Sequence, residues 1–122
     1  MTDRRLLLAD DEADIRFLCR RLLRRAGWDV EAVDSGDRAV RAALQGSWTA
    51  IVLDHRMPGR TGLEAARDIR AGGYDGPLMI FSAYIDEAVR AAAAAAGVVT
   101  AEKTTIEELP GLLGALLEGS GV

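Results

Sequence analysis

Short apolar runs alternate with longer stretches of helical periodicity along the whole chain. Residues 5–9 (RLLLA) form an apolar run of strand length, and 12–26 follow with Ile15, Leu18 and Leu22 on one helical face and Gly27 as the stop. Residues 28–33 alternate as a second strand. Ser35-Gly36-Asp37 opens a helix carrying Ala39, Val40, Ala43 and Leu44, which ends near Gly46. Residues 49–53 are a third apolar strand, Pro58, Gly59 and Gly62 mark a loop, and 63–71 a helix. Residues 77–81 make a fourth strand, and 85–96 a helix ending in six alanines, the best helix former. Gly97 stops it, and 98–101 form a short fifth strand. Thr105-x-x-Glu108 has the spacing of a capping box. Leu109, Leu112, Leu113, Leu116 and Leu117 recur at helical spacing, and Pro110 is compatible only with the first turn of that last helix.

Five strands alternating with five helices predict an α/β fold, a doubly wound five-stranded parallel sheet with helices on both faces. At 122 residues the chain fits one domain, spanning 1–122, with no output domain. Apolar residues at 49% and charged residues at 28% exclude disorder and low complexity as its dominant character. The net charge of −4 offers nucleic acid no basic surface. The lone Cys19 makes no intramolecular disulfide and reads as a packed thiol, and the early apolar run is too short for a signal peptide or a membrane span. Together these predict a cytoplasmic protein without membrane insertion. Trp28 and Trp48 read as packing residues. Of the fifteen cationic residues only Lys103 is a lysine.

In such a sheet, chemistry gathers outside the carboxyl ends of the strands. Strand one ends in Asp10-Asp11, strand three in Asp54, strand four in Ser82, and strand five in Glu102-Lys103. Crowded carboxylates repel one another unless a cation lies among them. Oxygen ligands without His or Cys suit Mg²⁺. Asp54 is placed to act as a nucleophile toward phosphorus, giving an aspartyl phosphate, with Ser82 as a hydroxyl donor and Lys103 offsetting charge on the transferring group.

The stretches Leu6-Leu7-Leu8-Ala9-Asp10-Asp11-Glu12, Ile51-Val52-Leu53-Asp54-His55-Arg56-Met57-Pro58-Gly59-Arg60-Thr61-Gly62 and Met79-Ile80-Phe81-Ser82-Ala83, with Lys103, make the chain resemble the receiver domain of bacterial response regulators in two-component signalling. The resemblance runs from the first strand to the last helix. It implies a flavodoxin-like sheet of strand order 2-1-3-4-5. It makes Asp54 the phospho-acceptor, Asp11 a direct Mg²⁺ ligand, Asp10 a ligand acting mostly through water, and the Arg56 carbonyl a further ligand. It has Ser82 swing toward the phosphoryl group and Lys103 pair with it. The implied donor is a phosphohistidine on a sensor histidine kinase or histidine phosphotransfer protein, and the output is an unknown partner protein. A receiver is not a turnover enzyme. Arg56 and Tyr84 occupy positions that tune phosphoryl lifetime in this family. Arg16, Arg20, Arg21, Arg24 and Arg25 form a basic helix side that, with Ile15, corresponds to a kinase-docking surface.

Three departures stand out. The family usually has an aromatic residue three positions before the lysine, where this chain has Thr100. It usually has a proline after the lysine, where this chain has Thr104. The stretch from Ser82 to Lys103 is about one residue short. Phosphorylation chemistry is therefore expected to persist with an altered readout, and the Lys103–Thr104 bond is expected to be trans. Two enzyme or cofactor readings compete poorly. A Mg²⁺-dependent aspartyl-phosphate phosphatase carries a second Asp where this chain has Arg56, and a flavin-binding domain needs a phosphate loop that strand one lacks. A receiver-like module that binds partners without phosphorylation is opposed by the intact Asp10, Asp11, Asp54, Ser82 and Lys103. His55 reads as a loop-edge histidine.

Overall fold

A computed structural model describes residues 4–120; positions 1–3 and 121–122 of the predicted single unit lie outside the described residues. The elements run β1 (Arg5–Ala9), α1 (Ala13–Arg25), β2 (Asp29–Val33), α2 (Gly36–Gln45), β3 (Ala50–Leu53), α3 (Gly62–Ala71), β4 (Leu78–Ser82), α4 (Glu87–Ala95), β5 (Val99–Glu102), a 3-10 turn (Ile106–Glu108) and α5 (Leu109–Ser120). All strand pairs are parallel, in the order β2-β1-β3-β4-β5. Among the described residues no helix is long and apolar enough to cross a membrane.

The alternation of side chains along each strand divides the core in two. Leu6, Leu8, Val52, Met79 and Phe81 pack with Cys19 and Leu23 of α1 and with Leu109 and Leu113 of α5. Leu7, Ala9, Ile51, Leu53 and Ile80 pack on the other face with Val40 and Ala43 of α2, Ala66 and Ile69 of α3, and Ala93 of α4. β1, β3 and β4 are therefore apolar on both faces, and cutting Leu53 to Ala removes contacts worth roughly 2–5 kcal/mol. α2 and α4 start where short polar side chains take up free N–H groups: Ser35 accepts from the Arg38 N–H and Asp86 from the Val89 N–H.

Three local expectations are corrected. Leu18 is 42% exposed, because the buried stripe of α1 is centred on Cys19 and Leu23 and leaves Leu18 at its rim. Leu44 is 49% exposed and leans over Gly72, where a Cβ would stand 2.4 Å from its Cδ2. Thr105 and Glu108 do not form a capping box. The tighter 3-10 turn brings the Glu107 N–H to the Thr105 hydroxyl at 3.3 Å, and the Glu108 carboxylate accepts from the Thr104 hydroxyl at 3.0 Å. The α-helix proper begins at Leu109, with Pro110 in its first turn as expected. All peptide bonds among the described residues are trans, Lys103–Thr104 included.

Candidate functional site

Parallel pairing continues past the strand ends and fixes the residues that follow. The Asp10 N–H donates to Val33 O, the Asp54 N–H to Ala9 O, and the Lys103 N–H to Ser82 O. Asp10, Asp54 and Ser82 are thereby buried at one edge of the sheet, while Asp11 stays exposed in the β1–α1 turn. Asp10, Asp11 and Asp54 each offer a carboxylate oxygen within 4.8 Å of the others. The Lys103 ammonium reaches in from beyond β5, 2.7 Å from Asp10 Oδ2 and 3.9 Å from Asp54 Oδ1.

Neighbouring main chain holds the carboxylates in place. The Glu12 N–H donates to Asp10 Oδ1 at 3.0 Å, and the His55 N–H to Asp54 Oδ1 at 2.9 Å. Burial raises the Asp54 pKa and the Asp10 charge adds to it, against the Ser82 hydroxyl, the Lys103 charge and the His55 N–H, which favour the ionised form. Burial alone would depress Lys103, but its hydrogen bond to Asp10 and the charges of Asp54 and Asp10 prevail, and its pKa is raised. With all groups ionised, three carboxylates face one ammonium, leaving an excess of negative charge. That donor set, all hard oxygen, fits Mg²⁺.

All of the side chains expected at the site meet there. Asp11, Asp54, Arg56, Ser82, Tyr84 and Lys103 line one cleft of about 370 Å³. His55 is not among the lining residues of that cleft, and its Nδ1 accepts from the Leu63 N–H at 3.4 Å in the first turn of α3. Gly62 is required by the turn after β3, since a Cβ there would stand 2.3 Å from Asp54 O.

Several residues that shape the site escaped sequence reasoning. Arg16 donates to the main-chain oxygen of Asp10 at 2.9 Å, and nothing in the sequence separates it from the other arginines of α1. Thr61 and Glu64 form the true capping box, with the Thr61 hydroxyl accepting from the Glu64 N–H and the Glu64 carboxylate from the Thr61 N–H. Their T-x-x-E spacing was the available signal. Thr100, at the position where the resemblance implies an aromatic ring, accepts a hydrogen bond from Arg90 Nη1 at 3.2 Å, and Arg90 lies 4.0 Å from Glu102.

Comparison with known proteins agrees with this geometry. The model of the response regulator receiver domain matches residues 6–103. The transcriptional regulatory protein ResD of Bacillus subtilis is 36% identical over 86 residues, covering 70% of this chain and 35% of that protein. The chain spans from about an eighth to about half the length of the curated relatives it matches, 13% to 53%. The response regulator TrrA of Thermotoga maritima, solved in complex with Mg²⁺-BeF, superposes with a TM-score of 0.80 at 29% identity, over 93% of this chain and 98% of that one. The receiver domain of a Pseudomonas aeruginosa sensor histidine kinase, with a magnesium ion coordinated in its active-site cleft, superposes with a TM-score of 0.83 at 28% identity, over 96% and 99%.

Proposed function

The chain belongs to the family of response regulator receiver domains, and on that premise we propose that it accepts a phosphoryl group on Asp54 from a phosphohistidine donor, with Mg²⁺, and thereby changes its binding to a partner. The observation that carries this reading is the convergence of Asp10, Asp11 and Asp54 on one point with Lys103 bridging Asp10 and Asp54. Asp11, Asp54 and the Arg56 carbonyl would hold Mg²⁺, with Asp10 acting mostly through water. The cation supplies charge compensation for the phosphoryl oxygens.

This chain's residues do the rest. Asp54 is partly stripped of water by burial and held by the His55 N–H, so one carboxylate oxygen is oriented for in-line attack. The new O–P bond forms as the P–N bond to the donor imidazole breaks, and the electron pair leaves with the imidazole. Lys103 exchanges part of its contact with Asp10 for a phosphoryl oxygen, and the Ser82 hydroxyl donates to another. Arg56 and Tyr84 at the rim control the access of water and so the lifetime of the acyl phosphate. The module is not a turnover enzyme. It works in the cytoplasm beside a sensor histidine kinase or histidine phosphotransfer protein, and its output partner is a protein.

The test is intact mass after acetyl phosphate, with and without Mg²⁺. One phosphoryl adduct is expected with Mg²⁺ only. Asp54→Asn removes the adduct, and Asp11→Ala weakens Mg²⁺ binding strongly because one of very few protein ligands is lost. A phosphopeptide mapping to Ser82 or His55 overturns the assignment.

A further inference from the structure

The loop between β3 and α3 carries Arg56, whose carbonyl the reading above gives to the cation. Met57 anchors this loop in the core beneath α2, α3 and α4. A second anchor is polar and comes from a residue three positions on. Arg60 Nε lies 3.0 Å from Asp37 Oδ1 in the first turn of α2, and Arg60 Nη1 lies 3.4 Å from Asp68 Oδ2 in α3. The main chain follows the side chain. A Cβ on Gly36 would stand 2.3 Å from Arg60 O and 2.8 Å from Arg60 Cβ, so the loop rests directly on the first turn of α2. Gly59, with φ at +77°, makes the turn beside the Asp37 carboxylate. At the far end the Gly62 N–H closes onto His55 O at 2.8 Å.

Gly36 is the first helical residue of α2, after the Ser35 cap, and the helix itself has no need of a glycine there. Its missing side chain is accounted for by the loop, not by α2. The Arg60 pairs are partly exposed, 41% for Arg60 against 58% and 52% for its partners. Such pairs add little to global stability. A guanidinium shared by carboxylates from two helices does, however, restrict where the loop can lie.

We infer that Arg60, Asp37 and the Gly36 turn of α2 form a seat for the β3–α3 loop, and that Arg60 and Asp37 are positioning residues that preset the Arg56 main chain at the Asp54 cleft. The metal consequence rests on the proposed function, whereas the loop consequence stands without it. Neither residue is among the groups that would hold the cation. They act as outer-shell partners act at a metal site, by fixing a ligand before it binds.

Amide hydrogen exchange on the metal-free chain, paired with Mg²⁺ titrations followed by backbone amide shifts, tests this in Arg60→Ala, Arg60→Lys and Gly36→Ala. Exchange at Thr61 and Gly62, whose N–H groups donate to Glu64 Oε1 and His55 O, should quicken by about tenfold in Arg60→Ala, the equivalent of one hydrogen bond. Mg²⁺ affinity should fall about three- to tenfold, and the unfolding midpoint should stay within about 2 °C. Arg60→Lys should recover most of the protection. Gly36→Ala should loosen the loop despite the better helix residue. Wild-type exchange at Thr61 and Gly62 in both Arg60→Ala and Gly36→Ala overturns the inference. So does a fall in midpoint that accounts for the whole loss of protection, since Arg60 would then be holding the fold and not the loop. A wild-type chain that binds no Mg²⁺ sinks the proposed function and leaves the exchange result to decide the seat.

Discussion

Asp54 is kept in a place that disfavours its own charge. Burial raises its pKa, so between the ordinary value of 3.8 and the raised one the folded chain binds more protons than the unfolded chain. Stability from this group is therefore present at low pH and lost as pH rises through the folded value. Asp54→Asn should accordingly stabilise the metal-free chain at pH 7, and for a domain of this size each kcal/mol of gain moves the melting midpoint by roughly 3–6 °C. The gain should vanish toward pH 3, where Asp54 is protonated in both states; thermal melts in chelator at pH 3 and pH 7 measure it, and an equal gain at both sinks the argument. Lys103 follows the same sign in a higher pH window. Its raised pKa gives stability that is complete below 10.5 and is lost only as pH climbs through the folded value. The identity of these residues was legible from their positions after apolar runs, because a strand end is a fixed address in a parallel sheet. Their pairing was not. That Lys103 sits nearer Asp10 than Asp54 depends on how far β5 reaches past β4, a register no single strand encodes.

α4 is the most lightly held helix. Ala93 is its one fully buried side chain, and Val89 and Ala96 pack from the flanks. Its carboxyl end is held from outside: Arg70 of α3 donates to Ala96 O and Gly97 O, and also to Tyr74 O and Gly76 O in the loop before β4. Arg70→Ala leaves carbonyls at a helix end without a donor and should cost roughly 2 kcal/mol. Arg70→Lys should recover less than half, because a single ammonium cannot span the fork; urea melts of the two variants give the numbers. The same element bears on the readout. Thr100 is small, β-branched and held by Arg90, so it offers little difference between two states for phosphorylation to exploit. Beryllofluoride should therefore move the backbone amides of Asp54, Arg56 and Ser82 more than those of Ala93 or Leu113. Large shifts throughout α4 and α5 would falsify that expectation. Sequence periodicity located α1 to α4 to within about two residues, because apolar spacing is local. It misplaced Leu18 and Leu44, whose burial depends on which neighbour covers them, and it gave the Thr105 cap the wrong partner, since a 3-10 turn replaced an α-turn.

At the scale of the whole molecule the charge is unevenly spread. The chain carries −4 overall, yet α1 holds five arginines against one aspartate, while the acidic residues of the site gather at the carboxyl edge of the sheet. Binding at that edge is linked to the folding of the entire domain, since the cluster exists only when β1 and β3 are paired. Mg²⁺ should raise the melting midpoint progressively, by about 2.7 kcal/mol of stability at a hundredfold excess over its dissociation constant. Asp11→Ala should flatten that dependence, and a midpoint in the wild-type chain that ignores Mg²⁺ would refute it. Cys19 turns the same linkage into something countable. It lies beneath α1, 1% exposed, with its thiol pushed up to about 11 by burial. A maleimide or an iodoacetamide meets no thiolate there while the domain is closed. Each labelled molecule is thus the record of one opening of the α1 face, and the labelling rate across the variants above becomes a clock for how often that face lifts from the sheet.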